Sequence, residues 1–272
     1  MADEHLRRSG IDRAVHGPWA VIAGGSEGVG AKLADRIAAR GIHLFLVARK
    51  PGPLAATADR VARVHGVQVR TLAGDLLDPD VVQRIRDETA GLDVGTFIYN
   101  AGANTYGAEF VEGDLDAFQK VVDLNVNRQL ELTRHFGARL KKRGRGALVL
   151  VGSLSGYVGH AGISTYAAAK AFERVFAEGL WVELRPHGVQ VLHPILGVTR
   201  TPAMERLGLR MDLPGLDVAD PGDIAEEILA RLDDGPVQAV GGNDARVQRS
   251  SGPDRARLVT EVAEGMRAMS PR

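Results

Sequence analysis

Short apolar runs alternate with segments of helical periodicity along most of the 272-residue chain, and this alternation strongly limits the folds that the chain can adopt. Apolar runs of this length are typical of strands buried on both faces of a parallel sheet. Seven strands are predicted, at 19–24, 42–48, 67–73, 95–101, 146–152, 189–196 and 236–242. Helices are predicted at 29–40, 53–65, 79–90, 114–143, 164–185, 221–233 and 254–269. The sequence therefore predicts an α/β fold with a doubly wound, seven-stranded parallel sheet and helices on both faces.

Residues 19–272 are predicted to form a single domain, because no repeat, low-complexity tract or linker divides them. The preceding residues 1–18 are polar and charged and lack the apolar segment of a signal peptide. We expect them to form a solvated extension of a soluble, cytoplasmic protein. No apolar run approaches the roughly 20 residues that are needed to span a bilayer.

The least regular stretch lies at 197–220, where apolar residues are mixed with prolines and glycines. Its apolar side chains include Met204, Leu207, Leu209, Met211 and Leu213. Ligands of open α/β sheets bind beyond the carboxyl ends of the strands, and a long apolar loop after a late strand is placed to close over such a site. We therefore predict an apolar lid. The alternative is an ordinary surface loop anchored by a few leucines.

The composition argues against several classes of function. Lysine and arginine total 34, as do aspartate and glutamate, so net charge gives no reason to expect binding to nucleic acid or to an anionic membrane. Cysteine is absent, which removes thiolate ligands and thiol nucleophiles. The eight histidines have no metal-ligand spacing, so no metal site is predicted.

A glycine-rich turn, "AGGSEGVG" at 23–30, joins the first predicted strand to the first predicted helix. Gly24, Gly28 and Gly30 would let backbone amides approach a pyrophosphate at the helix N-terminus. The turn therefore predicts a dinucleotide site. Its spacing differs from the G-x-G-x-x-G pattern, and the alternative is a plain strand-to-helix turn.

The residues after the second predicted strand indicate which dinucleotide binds. Many dinucleotide folds place a carboxylate here for the ribose 2′-hydroxyl, whereas an arginine suits a 2′-phosphate. This chain has Ala48, Arg49 and Lys50, and an arginine can bind a phosphate in bidentate fashion. We predict NADP(H) over NAD(H). Glu27 argues the other way, because a carboxylate near the 2′-phosphate would repel it, and Arg49 could also be a solvated loop residue.

Tyr166 and Lys170 lie at positions i and i+4 of the predicted helix "STYAAAK", on the same face. A free phenol has a pKa of about 10. A cation about 4 Å away contributes about 4 kcal/mol at an effective dielectric of about 20, enough to lower a phenol's pKa by up to about three units. The pair therefore predicts a general acid/base, with the alanines leaving room for a cofactor. The alternative is an ordinary solvated pair.

In their order and spacing these motifs resemble the short-chain dehydrogenase/reductase family over about residues 19–245. The further matching stretches are "AGDLLD" with Asp75, "YNAG" ending at Gly102, "DLNVN" with Asn125 and "VGSLSG" with Ser153. Ser153 stands at the family's usual interval before Tyr166.

The chain departs from the family pattern at three positions. Ala23 stands where a threonine is usual, and Tyr99 replaces the first asparagine of N-N-A-G. Leu196 replaces the proline of P-G-x-x-x-T, although Gly197 and Thr201 match.

The resemblance implies an NAD(P)(H)-dependent oxidoreductase that transfers a hydride between the nicotinamide and a carbonyl or secondary alcohol. It implies catalytic roles for Asn125, Ser153, Tyr166 and Lys170. Ser153 would donate to the developing oxyanion, and Asn125 would hold a water that links Lys170 to solvent. The implied cofactor contacts are Gly24, Ser26, Gly28, Val29, Gly30, Arg49, Asp75, Leu76, Asn100, Ala101, Gly102, Tyr166, Lys170 and Thr201. Asp75 would contact the adenine ring, and Thr201 the nicotinamide amide.

The apolar lid predicts a small-molecule substrate of mainly apolar character. A rival hypothesis is a catalytically silent NADP(H)-binding sensor or scaffold of the same fold. A relative of the sugar-nucleotide epimerases is a third, for which the chain is short. The resemblance also implies a homodimer or homotetramer built on helices 114–143 and 164–185, with no nucleic-acid or membrane partner.

Overall fold

The computed structural model describes residues 10–206, 208, 210–213 and 216–269, with side chains up to residue 265. Its strands are β1 (Trp19–Ala23), β2 (His43–Ala48), β3 (Val69–Ala73), β4 (Val94–Tyr99), β5 (Gly146–Leu150), β6 (Gly152–Ser153), β7 (Val189–Leu196) and β8 (Val237–Ala239). All strand pairs are parallel. The hydrogen-bonded order is β3-β2-β1-β4-β5-β7, and both β6 and β8 pair with β7.

The doubly wound parallel sheet is confirmed, but it has eight strands where seven were predicted. The difference lies in the predicted run 146–152, which Val151 interrupts. The short strand β6 keeps the register of β5 against β7, with Gly146 opposite Val189 and Gly152 opposite Ile195. The eighth strand is therefore a continuation of the predicted fifth strand.

The helices are α1 (Arg13–His16), α2 (Gly28–Ala38), α3 (Pro51–His65), α4 (Val81–Thr89), α5 (Leu115–Val122), α6 (Arg128–Arg143), α7 (Ser164–Leu184), α8 (Pro202–Arg206), α9 (Pro221–Ala230), α10 (Asp244–Ser250) and α11 (Arg255–Met269). Their ends follow local chemistry. Pro51 starts α3, which ends at Gly66 with φ +67°, in the left-handed region that suits glycine. Asp220 caps α9 by accepting from the Gly222 amide at 2.6 Å.

Two apolar clusters cover the two faces of the sheet. Helices α2, α3 and α9 pack on one face and α4, α6 and α7 on the other. The central strands β1, β4 and β5 are buried along their whole length, as expected for strands covered on both sides. The described residues form a single domain. The carboxyl ends of these strands all lie at one edge of the sheet, where the candidate site is found.

The N-terminal segment differs from its expected solvated state. Within the predicted extension 1–18, residues 10–18 pack on the domain: Ile11 and His16 are buried, and the Arg143 guanidinium donates to the Val15 carbonyl. The Thr96 hydroxyl also donates to the His16 carbonyl at 2.8 Å. Part of residues 10–18 therefore packs on the domain while Asp12, Arg13 and Ala14 are exposed, and residues 1–9 lie outside the described part of the chain.

The predicted helix 114–143 contains a π-helical turn at Asp123–Asn127, between α5 and α6. Asn125 explains this turn, since its side-chain amide donates to the Val121 carbonyl at 2.9 Å. In a regular α-helix that carbonyl would accept from the backbone N–H of residue 125. The same amide donates to Ala103 O at 2.9 Å, which fixes the turn against the loop after β4. Such π turns frequently mark functional sites. Across the described residues, we find no helix with both the length and the apolar character of a membrane span.

Candidate active site

The glycine turn between β1 and α2, called the glycine cradle below, leaves no room for a side chain at Gly24 or Gly30. A Cβ on Gly30 would stand 1.9 Å from the Gly24 carbonyl oxygen, and Gly24 itself has φ +87°. Asn100 Nδ2 donates to the same Gly24 oxygen at 2.9 Å, which ties the turn to the end of β4. The turn leads into the N-terminus of the 11-residue helix α2. These residues fit the phosphates of a dinucleotide, because exposed amides at a helix N-terminus attract anions.

Other residues predicted to contact a cofactor have structural partners of their own. Asp75 Oδ1 accepts from the Leu77 amide at 3.0 Å, which shapes the turn after β3. The Leu76 and Val29 side chains are buried, so only their backbones could reach a ligand. The Ser26 carbonyl accepts from the Thr57 hydroxyl at 2.9 Å.

At the end of β2, Arg49 lies at the surface with its guanidinium 3.8 Å from Asp75. The pairing is loose, and the Arg49 side chain remains 59% exposed. Exposed ion pairs of this kind contribute little, about 0–1 kcal/mol. Arg49 therefore remains available to a phosphate that approaches this edge of the sheet.

The segment predicted as a lid contacts the glycine turn. A Cβ on Gly28 would stand 2.9 Å from Thr201 Cγ2, and Arg206 of α8 donates to the Glu27 carboxylate at 2.6 Å. The base of the loop is closed by pairing of Thr199 with Ala219.

The apolar residues of the lid are not deeply buried. Met204, Met211 and Leu213 are half-buried, and Leu207 and Leu209 lie outside the described residues. Within the described part of the segment, Thr201 and Arg206 contact the glycine turn.

Strand β6, which ends at Ser153, and the turn after it dock on α7, the helix that carries Tyr166 and Lys170. A Cβ on Gly156 would stand 2.7 Å from the Lys170 carbonyl carbon, so this turn lies directly against the helix backbone. Lys170 Nζ is 5.7 Å from the centroid of the Tyr166 ring. Ser153 Oγ accepts from the Ser155 amide at 3.2 Å, a contact that does not use its hydroxyl proton.

Glu173, which the sequence reasoning missed, holds the Lys170 ammonium. Lys170 Nζ lies 2.9 Å from each carboxylate oxygen of Glu173 and 3.1 Å from the Val151 carbonyl. The two side chains are 3% and 0% exposed. Two short contacts from one nitrogen to both oxygens are the geometry of an ion pair. In the sequence, only the i,i+3 spacing of Lys170 and Glu173 on the predicted helix indicated this pair.

The pair shifts the pKa of both of its members. Burial alone would lower the pKa of Lys170, but the Glu173 carboxylate and the Tyr166 phenol outweigh burial and raise it. Burial raises the pKa of Glu173 to about 7, while Lys170 and the Gln129 amide act to lower it. Burial also lowers the pKa of His193 to about 3, and Lys170 acts in the same direction.

Asn125 and Lys170 approach each other across Gly102. A Cβ on Gly102 would stand 2.5 Å from Lys170 Nζ and 2.6 Å from Asn125 Oδ1. Asn125 Oδ1 is buried and accepts no hydrogen bond from the residues that the structure describes. It is thus a buried acceptor near the ammonium.

Tyr99, which stands where the family has an asparagine, contacts the π-helical turn that carries Asn125. Its hydroxyl donates to the Leu124 carbonyl in the π-helical turn. Burial raises the pKa of Tyr99 above its usual range, so the phenol remains neutral. The replacement therefore anchors the turn that carries Asn125.

A cavity of about 480 Å³ lies between the loop that follows β6 and the C-terminal helix α11. Its lining residues are Gly159, His160, Ala161, Ser164, Val259, Thr260 and Ala263. Burial lowers the pKa of His160, which favours the neutral imidazole. The sequence predicted α11 but gave no indication that it closes over this loop.

The fold and the site define a Rossmann-like dinucleotide-binding protein. The family model described as short chain dehydrogenase matches residues 18–211, and the chain belongs to this family. It is an NAD(P)-dependent oxidoreductase that acts on CH–OH or carbonyl groups.

Known relatives agree with this assignment. The chain is 30% identical over 190 residues to 7beta-hydroxysteroid dehydrogenase of Clostridium sardiniense. This match covers 70% of this chain and 72% of the relative. It is 31% identical over 192 residues to very-long-chain 3-oxoacyl-CoA reductase of Laccaria bicolor, covering 70% of this chain but only 56% of that longer relative. Among solved structures, a short-chain dehydrogenase from Sphingobium yanoikuyae in complex with NADPH is similar, with a TM-score of 0.78, 30% identity and coverage of 91% and 97%.

Proposed function

We propose that the protein is an NADP(H)-dependent oxidoreductase that reduces bulky, mainly apolar ketones or oxidises the matching secondary alcohols. Asn125, Ser153, Tyr166 and Lys170 are its catalytic residues. The observation that carries the proposal is the convergence of Lys170 Nζ with the Tyr166 ring and, across Gly102, with Asn125 Oδ1. The segment after β4 links this cluster to the glycine cradle, since Asn100 donates to the Gly24 oxygen and Gly102 lies against Lys170 and Asn125.

When bound, the nicotinamide supplies or accepts the hydride at the carbon of the reacting group. In carbonyl reduction Tyr166 gives its proton to the substrate oxygen, and Ser153 donates a hydrogen bond to the same oxygen. In alcohol oxidation the proton returns to Tyr166. The buried ammonium of Lys170 stabilises the phenolate that remains after proton donation.

A proton must then reach Tyr166 from solvent, since each reduction consumes one. The orphan acceptor Asn125 Oδ1 beside Lys170 Nζ is the site that a relay water would occupy. Lys170 and this water would carry the proton to Tyr166. The role rests on the buried acceptor together with the family resemblance.

The preference for NADP(H) rests on Arg49, Lys50 and Glu27. Arg49 and Lys50 are exposed at the end of β2, where a 2′-phosphate would lie. Glu27 argued against this preference, but its carboxylate accepts from Arg206 at 2.6 Å and is thereby neutralised. The similar Sphingobium enzyme was solved with NADPH, which agrees with the same choice.

The substrate class rests mainly on the relatives. The open cavity beside His160 has small apolar groups in its lining, Ala161, Val259 and Ala263 among them, and its lining residue Ser164 lies two positions before Tyr166 in the chain. One relative is named for a hydroxysteroid and another for a very-long-chain acyl-CoA, both of which carry a large apolar part. A bulky apolar ketone is the substrate class that fits both observations.

We further propose that the protein assembles through α7 and that it is cytoplasmic, as the sequence predicts. Phe172, Val175 and Val182 lie on one face of α7, and Val182 is 66% exposed. A second copy of the chain would bury this stripe. Val182→Lys should shift a wild-type dimer or tetramer towards a smaller species in light scattering, whereas Val64→Lys, at an exposed valine of α3, should not. A monomeric wild type would contradict the proposal.

A panel of ketones tests the main proposal. With NADPH and a ketosteroid, we expect steady loss of NADPH absorbance, with kcat/KM at least about tenfold higher than with a short aliphatic ketone, because a hydrophobic pocket gains about 1–3 kcal/mol per methylene. NADPH binding without turnover across ketones, aldehydes and secondary alcohols would contradict it and favour the silent-sensor alternative.

A further inference from the structure

The Lys170 ammonium is held in place by acceptors of the chain itself. An ammonium has three protons, and Lys170 Nζ lies within hydrogen-bonding distance of three oxygens, two from Glu173 and one from Val151. The Glu173 carboxylate is completely buried and comes from the same face of α7. The pKa of Glu173 is raised to about 7, so at pH values above this the positive charge beside Tyr166 is one end of a buried ion pair.

The other titratable and polar groups packed around Lys170 and Glu173 are uncharged. His193 of β7 and Tyr99 of β4 are both neutral, since burial shifts their pKa values away from the charged forms. Gln129 of α6 faces Glu173 and has no charge.

The nearby charged residues are themselves paired. Arg174 of α7 contacts Glu178, and Arg128 of α6 contacts Glu131. Among the described residues, Glu173 is the carboxylate in direct contact with Lys170.

A pair of opposite charges acts on Tyr166 differently from a single cation. The attraction of the ammonium for a phenolate is partly cancelled by the repulsion from the carboxylate behind it. Loss of the proton from Tyr166 is then less favourable than it would be beside an unpaired lysine. Carbonyl reduction needs the protonated phenol and alcohol oxidation needs the deprotonated form, so a phenol that keeps its proton to higher pH stays in the form required for reduction.

We propose that Glu173 is a positioning residue that holds Lys170 Nζ in place and offsets its charge, so that Tyr166 stays protonated to higher pH and carbonyl reduction persists there. This inference rests on the proposed role of Tyr166 as acid/base. The overall equilibrium of the reaction is not affected, since Glu173 changes only the pH at which each direction runs fastest.

Spectroscopic titration of the phenol tests the proposal without any substrate. The difference in tyrosinate absorbance between a protein and its Tyr166→Phe counterpart reports the midpoint at which Tyr166 ionises. We expect Glu173→Gln to lower this midpoint by about one pH unit or more, because one unit corresponds to only about 1.4 kcal/mol of lost repulsion. Glu178→Gln, the same change at a surface ion pair of α7, should leave the midpoint where it is in the wild type.

A second variant keeps the test decisive if Glu173→Gln does not fold. Glu173→Asp withdraws the carboxylate by about one carbon–carbon bond and should lower the midpoint by a smaller amount. In a ketone-reduction assay, the alkaline limb of the pH profile should move to lower pH with the same variants. A midpoint that is unchanged in folded Glu173→Gln, or in Glu173→Asp if only that variant folds, would overturn the inference. If no ketone is turned over but the midpoint shifts as expected, the proposed function fails while the charge relation stands.

Discussion

Arg206 of the lid donates to Glu27 of the glycine turn at 2.6 Å, so two segments far apart in the chain are joined over the cofactor cradle. On the proposed NADP(H) preference, this contact would offset the Glu27 charge that opposes a 2′-phosphate. We expect Arg206→Ala to weaken NADPH binding by about three- to tenfold, since a partly exposed pair contributes about 1 kcal/mol. The double variant Glu27→Gln/Arg206→Ala should recover most of this loss in a fluorescence titration. No recovery would mean that Arg206 acts on the cofactor itself.

Arg49 should decide between the two nicotinamide cofactors. Arg49→Ala is expected to raise the NADPH dissociation constant by about 10- to 100-fold and the NADH constant by less than about threefold, because a hydrogen bond to a charged group contributes about 1.5–3 kcal/mol. Arg63→Ala, at an exposed arginine of α3, is the matched control and should change neither constant. Equal losses for both cofactors would contradict the assignment.

Gly102 should be intolerant of even one methyl group. In Gly102→Ala the new Cβ would displace Lys170 Nζ or Asn125 Oδ1, which stand 2.5 and 2.6 Å from its position. Both groups are held by hydrogen bonds, so either shift would break contacts of the site and kcat should fall by at least about tenfold. Gly91→Ala, where nothing lies within 4 Å of the added Cβ, should keep wild-type turnover. Full activity in Gly102→Ala would show that this approach is not needed.

His193 should make the protein sensitive to acid. Its pKa is lowered to about 3 in the folded state, against an unfolded value of 6.5. Between these pH values His193 binds a proton in the unfolded chain but not in the folded chain. The contribution of neutral His193 to the free energy of unfolding is therefore fully present above pH 6.5 and is lost as the pH falls towards 3. From about pH 7.5 to about pH 5 the free energy of unfolding should drop by about 2 kcal/mol more in the wild type than in His193→Phe.

Urea titrations at both pH values measure this difference. His187→Phe, at an exposed histidine, is the control and should follow the wild type. A parallel loss of stability in the wild type and His193→Phe would mean that His193 is protonated in the folded state.

The strands and the longer helices could be predicted from the sequence because each apolar run and each helical period is a local property, whereas the short helices α1, α8 and α10 were not predicted. The π-helical turn could not, since it depends on Asn125 reaching Ala103, a residue of another loop. Likewise, residues 10–18 look polar in the sequence, and only the fold shows Ile11 and His16 against the sheet.

The candidate site could be predicted where its residues belong to recognisable sequence motifs. The spacing of Ser153, Tyr166 and Lys170 indicated the chemistry, whereas Glu173 had no motif to mark it. An i,i+3 lysine–glutamate pair is common on solvated helices, and only the packing of α7 makes this one buried. Ion pairs between distant loops, such as Glu27 with Arg206, depend on tertiary structure and leave no local trace.

The central claim is that Tyr166 supplies the proton in carbonyl reduction, and replacing its hydroxyl tests this most directly. NADPH oxidation should be measured with the best ketone of the panel in wild type, Tyr166→Phe and Tyr157→Phe, alongside the NADPH dissociation constant. We expect Tyr166→Phe to lose at least about 100-fold in kcat, the usual contribution of a general acid, with NADPH binding within about threefold of wild type. Tyr157→Phe, which keeps the ring that packs on Arg174, should turn over normally. Wild-type turnover in Tyr166→Phe would contradict the account.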